Sequence, residues 1–171
     1  MCIRDRLEGV NAEIAVANGG GIRAKKIYAP GTMITRRDIQ TELPFGNVVV
    51  KLGLKGSQIW EALENGVSQV EQNSGRFPQV SGISFTWNPK AEVGSRVVSV
   101  EFGGRPLSKY KTYTLATNDF LAKGGDGYTV FKKGKVIIDA SGAKLMAGMV
   151  MDYIKAKGSV SPKVEGRIVA Q

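Results

Sequence analysis

The apolar positions of this chain fall into short runs parted by glycine- or proline-containing turns, and the spacing inside each run predicts its element. Ala12-Glu13-Ile14-Ala15-Val16-Ala17 is a β-type run that ends at Asn18 and the glycines Gly19 to Gly21. After a loop through Pro30-Gly31, Thr35 can cap a brief helical turn over Arg36 to Leu43, which Pro44 stops. Val48 to Leu54 reads as a strand, and Gly56-Ser57 starts a helix whose Ile59, Leu63, Val67 and Val70 share one face, widened by Trp60.

Gly75 to Pro78 reads as a loop. Ile83 to Trp87 and Arg96 to Phe102 follow as β-type segments, the second alternating Val98, Val100 and Phe102 on one side. Gly103-Gly104-Arg105-Pro106 turns the chain into a strand at Tyr113 to Thr117, which ends in Asn118-Asp119-Phe120 and the loop Gly124-Gly125-Asp126-Gly127. The basic stretch Lys132-Lys133-Gly134-Lys135 reads as a turn. Asp139 or Ser141 can cap a last helix with Leu145, Met149, Tyr153 and Ile154 as its buried stripe, and Val164 to Ala170 offers a final strand. Strands and helices interleave without a strict βαβ repeat, so the predicted fold is α+β with a mixed β-sheet and packing helices.

Composition narrows the chemistry. A length of 171 residues with 42% hydrophobic content suits one globular domain, and 22 glycines against six prolines suit many tight turns. The formal charge of +9 favours anionic partners or, equally, a solvated basic surface. There is no histidine, and the single cysteine is Cys2, which removes imidazole acid–base chemistry, cysteine nucleophiles, His/Cys zinc sites and intrachain disulfides. No Asp-rich calcium loop and no membrane segment is read. Met1 to Arg6 resembles neither a signal peptide nor the domain behind it, so residues 1–6 are expected to be a non-native leader and residues 7–171 the domain.

Candidate chemistry lies in the polar or glycine-rich turns that follow hydrophobic elements. Asn18-Gly-Gly-Gly-Ile-Arg23 could let backbone amides approach an anion while Arg23 presents a cationic fork, although a glycine run after a strand is also an ordinary turn. In Leu43-Pro-Phe-Gly-Asn47, Phe45 is either a hydrophobic staple or a ligand-facing ring, and Asn47 a turn residue or a base-reading amide. Phe120 and Asp126 lie in a loop where aromatic face and carboxylate could converge on one ligand, or where Asp126 only shapes its turn. Together these residues offer two rings for a base, amides and a carboxylate for hydrogen bonds, and an arginine for charge.

Asn-Gly-Gly-Gly-Ile-Arg, Leu-Pro-Phe-Gly-Asn, Lys-Gly-Ser at a helix start, Asn-Asp-Phe-Leu-Ala-Lys-Gly-Gly-Asp-Gly-Tyr and a terminal Val-Glu-Gly-Arg-Ile, in that order, resemble the 5'-nucleotidase C-terminal domain from about residue 8 onward. The resemblance implies a substrate-binding domain that works beside an N-terminal dimetal metallophosphoesterase domain. It makes Phe45 and Phe120 the rings that sandwich a nucleobase, Asn18 and Asn47 polar contacts to the nucleoside, Arg23 a contact to phosphate or ribose oxygens, and Asp126 the acceptor for ribose hydroxyls. Gly75 to Gly82 matches a loop near the base pocket, with Arg76 and Ser81 unassigned. A helix carrying another substrate-contacting arginine is expected before residue 8.

On that reading no metal is bound by this chain and two divalent metals belong to the N-terminal domain. The intact protein would be an extracytoplasmic hydrolase of nucleotide phosphate esters in nucleotide catabolism, and this chain alone would be inactive. UDP-sugar hydrolase and 2',3'-cyclic phosphodiesterase activities occur in the same family. The rivals are a stand-alone basic module for nucleotides or single-stranded nucleic acid, and a purely structural domain in which Phe45 and Phe120 are buried apart.

Overall fold

The computed structural model describes residues 9–23 and 26–171; the expected leader and the expected upstream helix lie outside them. The strands are β1 (Ile14–Asn18), β2 (Val49–Lys55), β3 (Pro78–Ser81), β4 (Ile83–Trp87), β5 (Val97–Phe102), β6 (Arg105–Pro106), β7 (Thr112–Asn118), β8 (Lys135–Ile138) and β9 (Ile168–Ala170). The helices are α1 (Arg36–Glu42), α2 (Gly56–Val67), α3 (Asp119–Ala122) and α4 (Met146–Lys157). Two mixed sheets result, with strand orders β3-β1-β7-β2-β8 and β6-β5-β4-β9. Among these strands, β1 with β7 and β4 with β9 run parallel and the other pairs antiparallel. The α+β expectation with mixed pairing therefore holds, distributed over two sheets.

The five-stranded sheet is covered on both faces, which is why β1 is apolar up to its closing Asn18 and buried at every residue. Ile14, Val16, Leu52, Leu54 and Leu115 face the larger core with Ile59, Leu63 and Val67 of α2 and with Phe85, Trp87 and Val100 of the second sheet. The intervening Ala15, Val49 and Ala116 face Ile39 of α1 and Met146, Met149 and Val150 of α4. Side chains alternate across a strand, so one β1 sequence supplies two cores. Each fully buried aliphatic side chain contributes about 1.5–3 kcal/mol to holding the layers together.

Helix α1 starts as its sequence predicts. Thr35 Oγ1 accepts the Asp38 amide at 3.2 Å, and the Asp38 carboxylate accepts the Thr35 amide at 2.9 Å, a reciprocal capping box. Lys26 donates to Asp38 at 2.8 Å, and that bond, followed by the bonds from Thr35, holds the Asp38 carboxyl well below the usual range. Helix α2 is tied to β5 because Glu64 accepts the amides of Arg96 at 3.0 Å and Val97 at 2.9 Å.

Several local expectations are corrected. Residues Pro78–Ser81, read within a loop, form β3, which pairs antiparallel with β1 through Asn18↔Pro78 to Ala15↔Ser81. Val98 does not share a side with Val100: the β4–β5 register shifts between Thr86 and Trp87, so Val97 and Val100 point inward and Val98 is half exposed. Lys135–Ile138 is edge strand β8 rather than the end of a turn. Neither Asp139 nor Ser141 caps α4, because Asp139 is occupied by the amides of Ser141 and Gly142 and the Ser141 hydroxyl. Of the expected α4 stripe, Met149 is buried and Ile154 packs partly buried beside it, but Met146 and Val150 complete the buried face, Leu145 lies on the surface and Tyr153 is outside the cluster.

Candidate functional site

Four segments converge beyond the ends of β1 and β7. The first is the turn Gly19–Gly21, held against the loop before β3 by Gly19 N–H donating to Phe77 O and Gly20 N–H donating to Gly75 O, both at 2.8 Å. A Cβ on Gly20 would lie 2.9 Å from the Gly75 Cα, so the approach of these loops requires a residue without a side chain. Arg23 follows, its amide donating to Glu42 O at the end of α1.

The second segment is the α1–β2 loop. Phe45 stands on it with 56% of its surface exposed, and the Arg23 guanidinium sits 5.2 Å from its ring centroid. Asn47 donates through Nδ2 to Asp119 Oδ1 at 3.0 Å, and the same oxygen accepts the Val48 amide at 3.2 Å. Burial pushes the Asp119 carboxyl up, but these two bonds, with Lys123 nearby, outweigh it and leave the group below its ordinary value.

The third segment is α3 with the glycine loop behind it. Phe120 is 44% exposed, and a Cβ on Gly125 would lie 2.5 Å from its ring, so a glycine there makes room for the aromatic face. Asp126 adopts a left-handed backbone (φ 52°), a conformation that aspartate tolerates better than most residues. Its carbonyl accepts Asn65 Nδ2 at 3.1 Å, and its carboxylate accepts Asn18 Nδ2 at 2.7 Å. The loop is seated on Tyr128, whose fully buried hydroxyl donates to Arg76 O at 2.7 Å. Burial raises the Tyr128 phenol far above its ordinary value, and the nearby Asp126 charge adds to that.

The fourth segment is the Gly75 loop itself. An open cleft of about 340 Å³ is lined by Asn18, Gly20, Gly21, Arg23, Phe45, Asn47, Gly75, Phe120 and Asp126. All of the side chains singled out from the sequence thus border one space, though unequally: Asn18 is buried, Asp126 half-buried, and Arg23, Phe45 and Phe120 exposed. Burial of the two rings apart from one another, as a purely structural domain would have it, is not what is seen.

Sequence reasoning does not single out Asn118, Asp119, Asn65 or Gly125. The Asn118-Asp119 pair before a short helix is a capping signal, and Asn118 Oδ1 does accept the Leu121 amide at 2.8 Å. Asn65 carries no signal, because it reads as a polar position on α2. Among the described residues, no three His, Cys, Asp or Glu side chains are placed to hold a metal ion. The donor set here does not fit a metal centre, and no bond-breaking step is assigned to these residues.

The open cleft is thus flanked by two exposed rings and bordered by a carboxylate and side-chain amides. The sequence model of the 5'-nucleotidase C-terminal domain matches residues 3–133, and the chain belongs to that family. It is 40% identical over 167 residues to the trifunctional nucleotide phosphoesterase protein YfkN of Bacillus subtilis (strain 168), covering 94% of this chain and 11% of that protein. It is 35% identical to the 5'-nucleotidase of Diplobatis ommata, covering 93% of this chain and 29% of that one. The crystal structure of the 5'-nucleotidase precursor from Thermus thermophilus superposes with a TM-score of 0.90 at 41% identity, over 99% of this chain and 34% of that one. The chain therefore corresponds to about a third or less of these relatives' length.

Proposed function

We propose that the cleft holds the nucleoside part of a nucleotide. In this reading Phe45 and Phe120 stack on the two faces of the base, and Asp126 accepts hydrogen bonds from the ribose hydroxyls. Asn18 and Asn47 supply amide contacts, and Arg23 meets phosphate or ribose oxygens. The observation that supports it is the convergence of these six side chains on one open cleft whose aromatic faces are exposed to solvent. An ionised carboxylate only accepts hydrogen bonds, so Asp126 suits vicinal hydroxyls and repels phosphate.

The protein to which this domain belongs is proposed to be an extracytoplasmic hydrolase of nucleotide phosphate esters. Two divalent metals would be held by an N-terminal metallophosphoesterase domain, where they would activate water while this domain positions the substrate. The relatives' names support the reaction class, and the snake venom 5'-nucleotidases among them support a location outside the cytoplasm. No helix among the described residues is long and apolar enough to cross a membrane.

Calorimetric titration of the 171-residue chain with adenosine, 2',3'-dideoxyadenosine and a thymidine oligonucleotide tests the reading. Adenosine should bind best, and AMP should not be hydrolysed even with manganese, zinc or cobalt present. Asp126→Asn keeps a residue that tolerates the left-handed backbone, and should weaken adenosine by about 1.5–3 kcal/mol while sparing the dideoxynucleoside. Preference for the oligonucleotide, or equal loss for both nucleosides, would refute it.

A further inference from the structure

We infer that Asn118, which does not line the cleft, is a positioning residue that orients Asn18 and through it presents Asp126; the inference rests on the ribose reading of Asp126 given above. Asn118 closes β7, and β1, which ends at Asn18, is its parallel neighbour. Asn118 is 2% exposed and Asn18 6%. In so dry a place each amide needs partners of the correct polarity.

That polarity can be read from one end. A backbone N–H can only donate, so the Leu121 amide, 2.8 Å from the Asn118 side chain, fixes Asn118 Oδ1 on its own side. The Nδ2 of Asn118 is thereby turned toward Asn18, where Oδ1 accepts it at 3.1 Å. With its oxygen so engaged, Asn18 reaches Asp126 with Nδ2, which donates to Oδ2 at 2.7 Å. The relay Leu121 N–H, Asn118, Asn18, Asp126 runs without a break in polarity and ends on the one group that is an acceptor only. With the Asn18 amide reversed, a carbonyl oxygen would face the carboxylate.

A helix cap alone does not account for this. Serine or aspartate caps as well as asparagine, but neither offers a donor that reaches onward from the cap. The same side chain also starts α3, which carries Phe120, so one buried amide ties the presentation of the carboxylate to the element bearing a stacking ring.

The test compares the unmutated chain with Asn118→Ser, which keeps a capping oxygen but is too short to reach Asn18, and Asn118→Asp, which keeps the size but removes the donor. A folded variant should bind adenosine roughly tenfold more weakly, the worth of one lost charge-assisted contact. It should bind 2',3'-dideoxyadenosine within about twofold of the unmutated chain, because that ligand lacks the hydroxyls Asp126 would accept. Val150→Ala, in the buried cluster under α4, should lower the melting temperature and leave both affinities alone. An unchanged ratio of the two nucleoside affinities in a folded Asn118 variant would overturn the inference.

If the unmutated chain does not distinguish the two nucleosides, the ribose reading fails by itself. The relay is then decided without ligand, by hydrogen exchange of the side-chain amides. Slow exchange at Asn18 and Asn118 in the unmutated chain, lost at Asn18 in either variant, supports it. Exchange as fast as that of a solvent-exposed asparagine in the unmutated chain overturns it, whether or not the variants fold.

Discussion

Two glycine-rich turns in this molecule use the same residue for opposite reasons. At the β5–β6 hairpin, Gly103 and Gly104 have φ of 58° and 73°, and a Cβ on either would meet nothing within 4 Å. Glycine is needed there for backbone conformation, as two-residue hairpin turns demand. In Gly19–Gly21 no residue is left-handed, yet a Cβ on Gly20 would press on Gly75, and one on Gly21 would come within 3.3 Å of Asn18 Oδ1. Glycine is needed there because another part of the chain is too close. The hairpin could be recognised from its neighbours in sequence, whereas the cleft turn takes its meaning from a loop that begins at Gly75, far along the chain.

Gly20→Ala should produce the largest effect. Its new methyl faces backbone and not a yielding side chain, so the loops must part, with a loss of about 1–3 kcal/mol in stability and a further loss of adenosine affinity. Chemical denaturation and calorimetry read the two losses. An alanine at position 20 that leaves both unchanged would remove the contrast between the turns.

Phe120→Ala sharpens the same contrast from the ligand side. Nucleoside affinity should fall by about 1–3 kcal/mol while the melting temperature hardly moves, since the ring is exposed. A variant that binds as before but melts much lower would return Phe120 to a packing role.

Gly104→Ala should cost about 1–2 kcal/mol of stability through the left-handed backbone alone, and adenosine titration should not register it. Weakened binding from the hairpin would mean that the two regions are coupled, contrary to the separation drawn between them.

Acid should act last and gently. The carboxyls of Asp38, of Glu71, which accepts from the Arg96 guanidinium at 3.2 Å, and of Asp119 lie below their ordinary values in the folded chain, so the unfolded chain binds more protons. The stability they contribute is complete above the ordinary carboxylate range and is lost as pH falls through that range toward the folded values. Amide exchange at about pH 3, just under the ordinary carboxylate range, should therefore quicken at α1 and the Asn47 loop, where Asp38 and Asp119 act, ahead of the Gly103-Gly104 hairpin. The reverse order would argue against these carboxyls as anchors.

How much of this is readable in advance depends on where the controlling contact lies. The Thr35 cap of α1, the Ile59, Leu63 and Val67 face of α2 and the turn at Gly103-Gly104 follow from residues within a few positions of one another and appear where expected, whereas Val70 lies past the end of α2 and Arg105–Pro106, read as part of the turn, pairs with β5 as β6. Strands β3 and β8 escape a local reading because glycine and proline or lysines flank them, and only a neighbouring edge makes them strands. Val98 falls on the unexpected side because a bulge, set by the partner strand, breaks the alternation. The cleft-lining residues can be singled out as unusual polar, aromatic and glycine-rich turns, but that these turns border one cleft is visible only in the structure.

The chemistry on offer is written in the residues alone: no imidazole, a single cysteine at position 2, two rings and a carboxylate on turns, a formal charge of +9, and elements with strong local periods. Packing is what makes Asn18, Asn118 and Asp126 a polarised relay, sets Asp119 as the anchor of Asn47, and brings Gly20 against Gly75. The division is one of range. Helical period, capping and turn chemistry act over a few residues, while the polarity of a buried hydrogen bond and the clearance between two backbones depend on which distant segments the packed sheet brings together.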